Sequence, residues 1–182
     1  MTAISDRYRR LAAGVTSTVE QVPPGKWSAQ SPCEEWTALD VLRHLTQTPG
    51  IFFGMVGEPG PGVPPVEDDP VAAWKVARDA TQAALDDSSI ATREYDGFAG
   101  KATFENGVDQ FICTDLIVHR WDIAKAAGLD DHIDEQDIAD VREKMAPMAH
   151  LMRNPRAFGP EVEVPAEADE QTKFLAFLGR RA

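Results

Sequence analysis

Residues 105–127 constrain the fold most strongly, because they carry the clearest helical periodicity in the chain. At about 100° per residue, their apolar side chains fall on one stripe that we expect to face a core. The stripe contains Val108, Phe111, Ile112, Ile123 and Ala126. Asp115, His119 and Asp122 fall on the same stripe. An ionised carboxylate in an apolar interior needs an ion pair, a hydrogen-bond network or a metal ion to compensate its burial. The segment therefore predicts a buried polar site.

Helical patterns of the same kind cover much of the remaining chain and predict an all-α protein. The other predicted helices span 3–21, 38–56, 70–86, 135–152 and 168–179. Thr37 and Asp40 are typical of a capped helix start, and Pro147 predicts a bend or a break. Residues 57–69 are rich in glycine and proline and predict a long connection, whereas 88–104 predict a loop or a short hairpin.

Length and charge limit the organisation and the partners. A chain of 182 residues is expected to form a single domain over 1–182. The net charge of −12 repels phosphate backbones, so neither nucleic acid nor a membrane is an expected partner. The first residues lack an apolar signal region, and the apolar runs are too short to span a bilayer. We therefore expect a cytoplasmic protein.

Asp115 and His119 are separated by four positions, so on a helix their side chains converge on one point. Carboxylate and imidazole are both normal ligands of divalent metals. His44, in the middle of the second predicted helix, is the best candidate for a third ligand. His132 lies in an acidic loop, and His150 has no carboxylate at helical spacing on the inward side. The spacing also fits a buried hydrogen bond or ion pair, and the residues alone leave both readings open.

Other kinds of site have weaker support. The sequence contains no GxSxG elbow, no P-loop and no GxGxxG motif. Cys33 lies in an irregular segment before the His44 helix, where it is either a nucleophile or, more commonly, a packing residue. Ile117 and Trp121 form an apolar pair on the opposite side of the 105–127 helix, which indicates either a central helix or a homodimer interface.

Two segments resemble signatures of a known family. Residues 31–45, SPCEEWTALDVLRHL, resemble the TPC-x-x-W-x-x-x-D-x-x-x-H-L signature of actinobacterial DinB-like proteins. These proteins are grouped with the N-terminal domain of mycothiol-dependent maleylpyruvate isomerase. Residues 115–124, DLIVHRWDIA, are similar to the second signature of that family, E-x-x-x-H-x-W-D-x-A. The end of the chain, from Phe158-Gly159-Pro160 to Arg180, is also similar.

The resemblance implies a DinB-like four-helix bundle with a long crossover connection and extra C-terminal helices. It also implies a metal held by His44, Asp115 and His119. In such a site we expect Asp122 and Asp40 to orient the ligands through hydrogen bonds. Asp115 departs from the glutamate that the family often has there. Zinc is the first expectation for the metal, with nickel, iron or manganese as alternatives.

The function implied by this resemblance is a metal- and thiol-dependent transferase, with mycothiol as thiol cosubstrate and a small electrophile as the other partner. The isomerase carries a further C-terminal domain for which this length leaves no room, so isomerase activity itself is not expected. A non-catalytic metal- or small-molecule-binding module, or a structural bundle without metal, is the alternative. No catalytic residue is assigned.

Overall fold

The structure is a computed structural model that describes residues 2–97, 100–148 and 159–181. Most of these residues are helical, which confirms the all-α prediction. The chain divides into two compact units, Met1–Leu129 and Asp130–Ala182. The prediction of a single domain over 1–182 stays a prediction.

The first unit is built on a helical bundle. Its helices are α1 (Ala3–Gln21), α2 (Ala38–Met55), α3 (Pro70–Asp86), α4 (Ser88–Ala91), α5 (Phe104–Gly107) and α6 (Cys113–Ala127). Helices α1 and α2 each pack against both α3 and α6. The order around the bundle is therefore α1, α3, α2, α6, and the chain crosses the bundle between α3 and α6. This arrangement confirms the predicted four-helix bundle with a long crossover connection.

Local capping explains where the long helices begin. The Thr37 hydroxyl accepts from the Asp40 amide at 3.2 Å, and the Asp40 carboxylate accepts from the Thr37 amide at 2.9 Å, so the predicted capping pair is present. Asp69 caps α3, and Pro70 occupies its first turn. Helix α2 runs on through Pro49, and α6 ends at Gly128, which is left-handed with φ 74°.

A short hairpin lies within the crossover. Strands β1 (Glu94–Gly97) and β2 (Gly100–Thr103) pair antiparallel, with Glu94 opposite Thr103. Helix α5 follows, and a π-helical turn, Val108–Ile112, leads into α6. The structure thus selects the hairpin from the two alternatives predicted for 88–104.

Helix α6 is buried on more than one side, as the alternative of a central helix predicts. Phe111 and Ala126 of the predicted stripe are only half-buried. Other sides of α6 are buried as well, through Leu116, Ile117, Val118, Trp121 and Ala124. The reason is that α6 packs against both α1 and α2. The apolar pair of Ile117 and Trp121 therefore belongs to the core of this unit and gives no support to a dimer, which stays a prediction.

The second unit contains α7 (Glu135–Met145), a 3₁₀ turn (Ala146–Met148) and α8 (Glu170–Phe177). The 3₁₀ turn includes Pro147, where the sequence predicts an interruption. His132 is exposed, as expected for its acidic loop. His150, Phe158 and the last part of the predicted 135–152 helix lie outside the described residues. None of the helices in the described part of the chain has the length and hydropathy needed to cross a membrane.

Candidate metal centre

Helices α2 and α6 bring the three predicted ligands together. His44, Asp115 and His119 each offer a donor atom, and these atoms lie within 4.8 Å of one another. The Nε2 atom of His44 lies 3.0 Å from Oδ2 of Asp115, and Nε2 of His119 lies 3.9 Å from Oδ1 of the same carboxylate. Two ligands of a tetrahedral zinc ion are about 3.3 Å apart, given bond lengths of about 2.0–2.1 Å. The two separations bracket that value.

The orientation of His119 follows from its other ring nitrogen. Nδ1 of His119 lies 2.8 Å from Oδ2 of Asp122, whose side chain is fully buried. An ionised carboxylate can only accept, so Nδ1 donates the hydrogen bond. This charge-assisted bond compensates the burial of Asp122. It also directs Nε2 of His119 towards Asp115, as in metal-ligating histidines that are held by a second carboxylate.

Nε2 of His119 and the facing oxygen of Asp115 lie at a distance that leaves room for a bridging group between them. When Nδ1 carries the ring proton of a neutral imidazole, Nε2 presents a lone pair to the oxygen 3.9 Å away. A second proton, a water molecule that donates to both atoms, or a metal cation would satisfy two acceptors in this position. Two imidazoles and one carboxylate are a normal ligand set for zinc, nickel, iron or manganese. The residues therefore fit a divalent cation.

Asp40 was expected to orient a metal ligand, but its described contacts lie at the start of α2. Its carboxylate accepts from the Thr37 hydroxyl at 2.5 Å and forms an ion pair with Arg43. Hydrogen bonds from the Thr37 hydroxyl and amide hold the pKa of Asp40 below its ordinary value. These contacts stabilise the start of α2. Of Asp40 and Asp122, only Asp122 has a hydrogen bond to a candidate ligand among the contacts described above.

The three side chains of the cluster differ in their exposure to solvent. The side chains of His44 and Asp115 are 33% and 27% exposed, whereas that of His119 is 10% exposed. Solvent and small molecules can therefore reach the cluster from the side of His44 and Asp115. If these three residues held a metal, they would leave coordination positions for a small molecule, as catalytic metal sites require.

The segment 30–37, here called the site loop, encloses the other side of the cluster. The Gln30 side-chain amide donates to the carbonyls of Ser31, Cys33 and Trp36 at 3.0, 3.0 and 2.9 Å. Glu35 adopts a left-handed conformation with φ 63°, which is rare for residues other than glycine. These features hold the loop in a compact turn directly before α2.

Two side chains of the site loop lie at the cluster. The Trp36 ring centroid is 5.3 Å from that of His44 and 6.1 Å from that of His119. The Cys33 thiol lies 3.3 Å from Oδ2 of Asp122. The sequence alone assigned no role at the site to Trp36 and favoured packing for Cys33. The Pro-Cys-x-x-Trp pattern immediately before a capped helix is the signal that could have indicated them.

Fold and cluster together define a helical-bundle protein with a candidate metal centre at the edge of its bundle. Residues 8–94 match the family model of the mycothiol maleylpyruvate isomerase N-terminal domain. The resemblance read from the sequence is thereby confirmed. The matched segment contains the site loop and His44, whereas Asp115 and His119 follow it.

Relatives along the whole length are also found. Two uncharacterized proteins of Mycobacterium tuberculosis, from strains CDC 1551 / Oshkosh and ATCC 25618 / H37Rv, are each 27% identical to this chain over 190 aligned positions. Each alignment covers 95% of this chain and 95% of the relative. No solved structure gives a significant match.

Proposed function

We propose that this protein binds a divalent metal and uses it to activate a small thiol, with mycothiol as the first candidate, for transfer to a small electrophile. The observation that carries the proposal is the convergence of His44 and His119 on the Asp115 carboxylate, with Asp122 behind His119. The match to the mycothiol maleylpyruvate isomerase N-terminal domain supports the choice of thiol.

Each residue of the centre has a distinct task in this proposal. His44, Asp115 and Nε2 of His119 would hold the cation, with zinc as the first candidate. Such a cation, when bound, supplies Lewis acidity that favours the thiolate form of a thiol at neutral pH. Asp122 keeps the ring proton on Nδ1 of His119. Trp36 provides an apolar wall against which the carbon skeleton of a substrate can pack.

Metal analysis tests the first part of the proposal. Protein purified without chelator or affinity tag should carry about one divalent ion per chain, measured by elemental mass spectrometry. His119→Ala should lose it, because the substitution removes a ligand that α6 holds in place. His132→Ala, which changes an exposed histidine in the second unit, is the matched control and should keep it. Metal-free wild-type protein that also fails to bind added zinc would contradict the metal centre.

Thiol chemistry tests the second part. Mycothiol should perturb the visible spectrum of the cobalt-loaded protein when it binds. In a separate assay, the consumption of mycothiol should depend on both the metal and the electrophile. A set of small electrophiles of different classes covers the unknown second substrate. Metal binding without thiol binding or thiol consumption would contradict the transferase and favour a non-catalytic metal- or small-molecule-binding module.

A further inference from the structure

One oxygen of Asp122 connects the site loop to the candidate metal centre. Oδ2 of this buried carboxylate accepts from the Cys33 thiol at 3.3 Å and from Nδ1 of His119 at 2.8 Å. Cys33 and Asp122 are 89 positions apart in the chain, so the contact exists only because the site loop packs against α6. The Gln30 amide holds the Cys33 carbonyl at 3.0 Å, which restrains the backbone that carries the thiol.

The chemistry of this contact favours a donor role for Cys33. A thiol can donate to a carboxylate only in its protonated form, and a thiolate at this distance would face a like charge. Cys33, His119 and Asp122 also bring donor atoms within 4.8 Å of one another, so direct ligation by Cys33 is the competing arrangement. Ligation would require the thiol to lose the proton that it shares with Asp122.

We propose that Cys33 is a positioning residue for His119. Its thiol holds Oδ2 of Asp122 in the orientation that accepts the Nδ1 proton, so that His119 presents an unprotonated Nε2 to Asp115 and His44. The consequence for metal affinity rests on the proposed function, whereas the consequence for the His119 tautomer does not. Loss of a residue that hydrogen-bonds to a metal ligand typically lowers metal affinity about 10- to 100-fold.

The tautomer can be measured without metal. Long-range ¹H–¹⁵N correlation spectra of metal-free protein at about pH 8.5, above the ordinary titration range of histidine, distinguish the two neutral imidazole tautomers. Wild-type His119, assigned by comparison with His119→Gln, should carry its proton on Nδ1. Cys33→Ala should give a mixture of tautomers and lower zinc affinity about 10-fold. Cys33→Ser should restore both, because a hydroxyl also donates.

Controls separate a specific effect from general damage. Cys113→Ala removes the other thiol, which is buried in α6, and should leave the His119 tautomer unchanged. Circular dichroism and thermal unfolding should show that each variant keeps its helices. If Cys33→Ala does not fold, Cys33→Val takes its place, since it fills the volume of the thiol without a donor.

Three outcomes decide the inference. An unchanged tautomer together with unchanged zinc affinity in the alanine variant overturns it. A sulfur-to-cobalt charge-transfer band in the cobalt-loaded wild-type protein, absent from Cys33→Ser, also overturns it, because Cys33 would then be a ligand. A tautomer change in a protein that binds no metal supports the positioning role and contradicts only the proposed function.

Discussion

His44 on α2 and Asp115 on α6 meet through a 3.0 Å contact between Nε2 and Oδ2, although 71 positions separate them in the chain. Asp115 is the only member of the candidate ligand set that brings a formal negative charge. Its second oxygen faces His119 at 3.9 Å, so one carboxylate lies between both imidazoles. This position makes Asp115 the residue whose chemistry the centre depends on most.

Two replacements of Asp115 should separate the effect of its charge on zinc affinity from the effect of its shape. We expect Asp115→Asn to lower zinc affinity by about 10-fold or more, because the amide keeps the shape but removes the charge that ligation uses. Asp115→Glu keeps the charge. Its zinc affinity should stay within about 10-fold of wild type, a smaller loss than that of Asp115→Asn. Competition against a chromophoric chelator measures both values. Equal affinity of Asp115→Asn and wild type would show that Asp115 is not a ligand.

Trp36 should report on occupancy of the centre. Its ring lies 5.3 Å from His44 and 6.1 Å from His119, centroid to centroid. Copper(II) or nickel(II) bound by these imidazoles should quench Trp36 fluorescence, because open-shell ions quench indoles at short range. Trp36→Phe should abolish most of the metal-dependent quenching while keeping an aromatic ring in place.

Trp27→Phe, at another half-buried tryptophan, is the control for this measurement and should retain the quenching. Equal quenching in Trp36→Phe and wild type would place the metal elsewhere.

The capping pair of Thr37 and Asp40 should make stability depend on pH. Hydrogen bonds from Thr37 hold the pKa of Asp40 below its ordinary value in the folded protein. A depressed folded-state pKa stabilises the fold fully above the unfolded-state value of about 3.9, and the stabilisation disappears as the pH falls through the folded-state value. Asp40→Asn should therefore lower the free energy of unfolding by about 0.5–1 kcal/mol at pH 7 and by less at pH 3.

Urea unfolding of metal-free protein at the two pH values measures this difference. Asp79→Asn, at an exposed carboxylate of α3, is the matched control and should show little change at either pH. A difference between wild type and Asp40→Asn that is the same at both pH values would contradict the linkage.

Gly107 should tolerate no side chain. A Cβ atom there would lie 2.5 Å from the Tyr95 hydroxyl and 2.8 Å from the Phe52 ring. Because both rings are packed into the core, Gly107→Ala should lower the free energy of unfolding by about 1–3 kcal/mol. In α2, Gly54→Ala meets nothing within 4 Å and should be neutral or stabilising by up to about 1 kcal/mol. Denaturant unfolding compares the two, and equal stability of both variants would contradict the packing.

Several features of this protein were predictable because they depend on residues close together in the chain. Capping by Thr37 and Asp40 involves neighbours three positions apart, and the convergence of Asp115 and His119 needs only one helical turn. The long helices of the bundle follow from apolar spacing in the same way. His44 was the best candidate for a third ligand from its position within a helix, the family resemblance supported it, and the structure brings it to the other two.

The sequence by itself therefore determined the long helices of the bundle, the cap of α2 and the two candidate ligands that α6 carries, because local geometry sets all of them. Only the tertiary structure decided that α6 is a central helix, because this depends on α1 and α2 packing around it. It also placed Trp36 against both imidazoles and the Cys33 thiol against Asp122. Those contacts join segments far apart in the chain, and no local pattern records how a loop will lie across a distant helix.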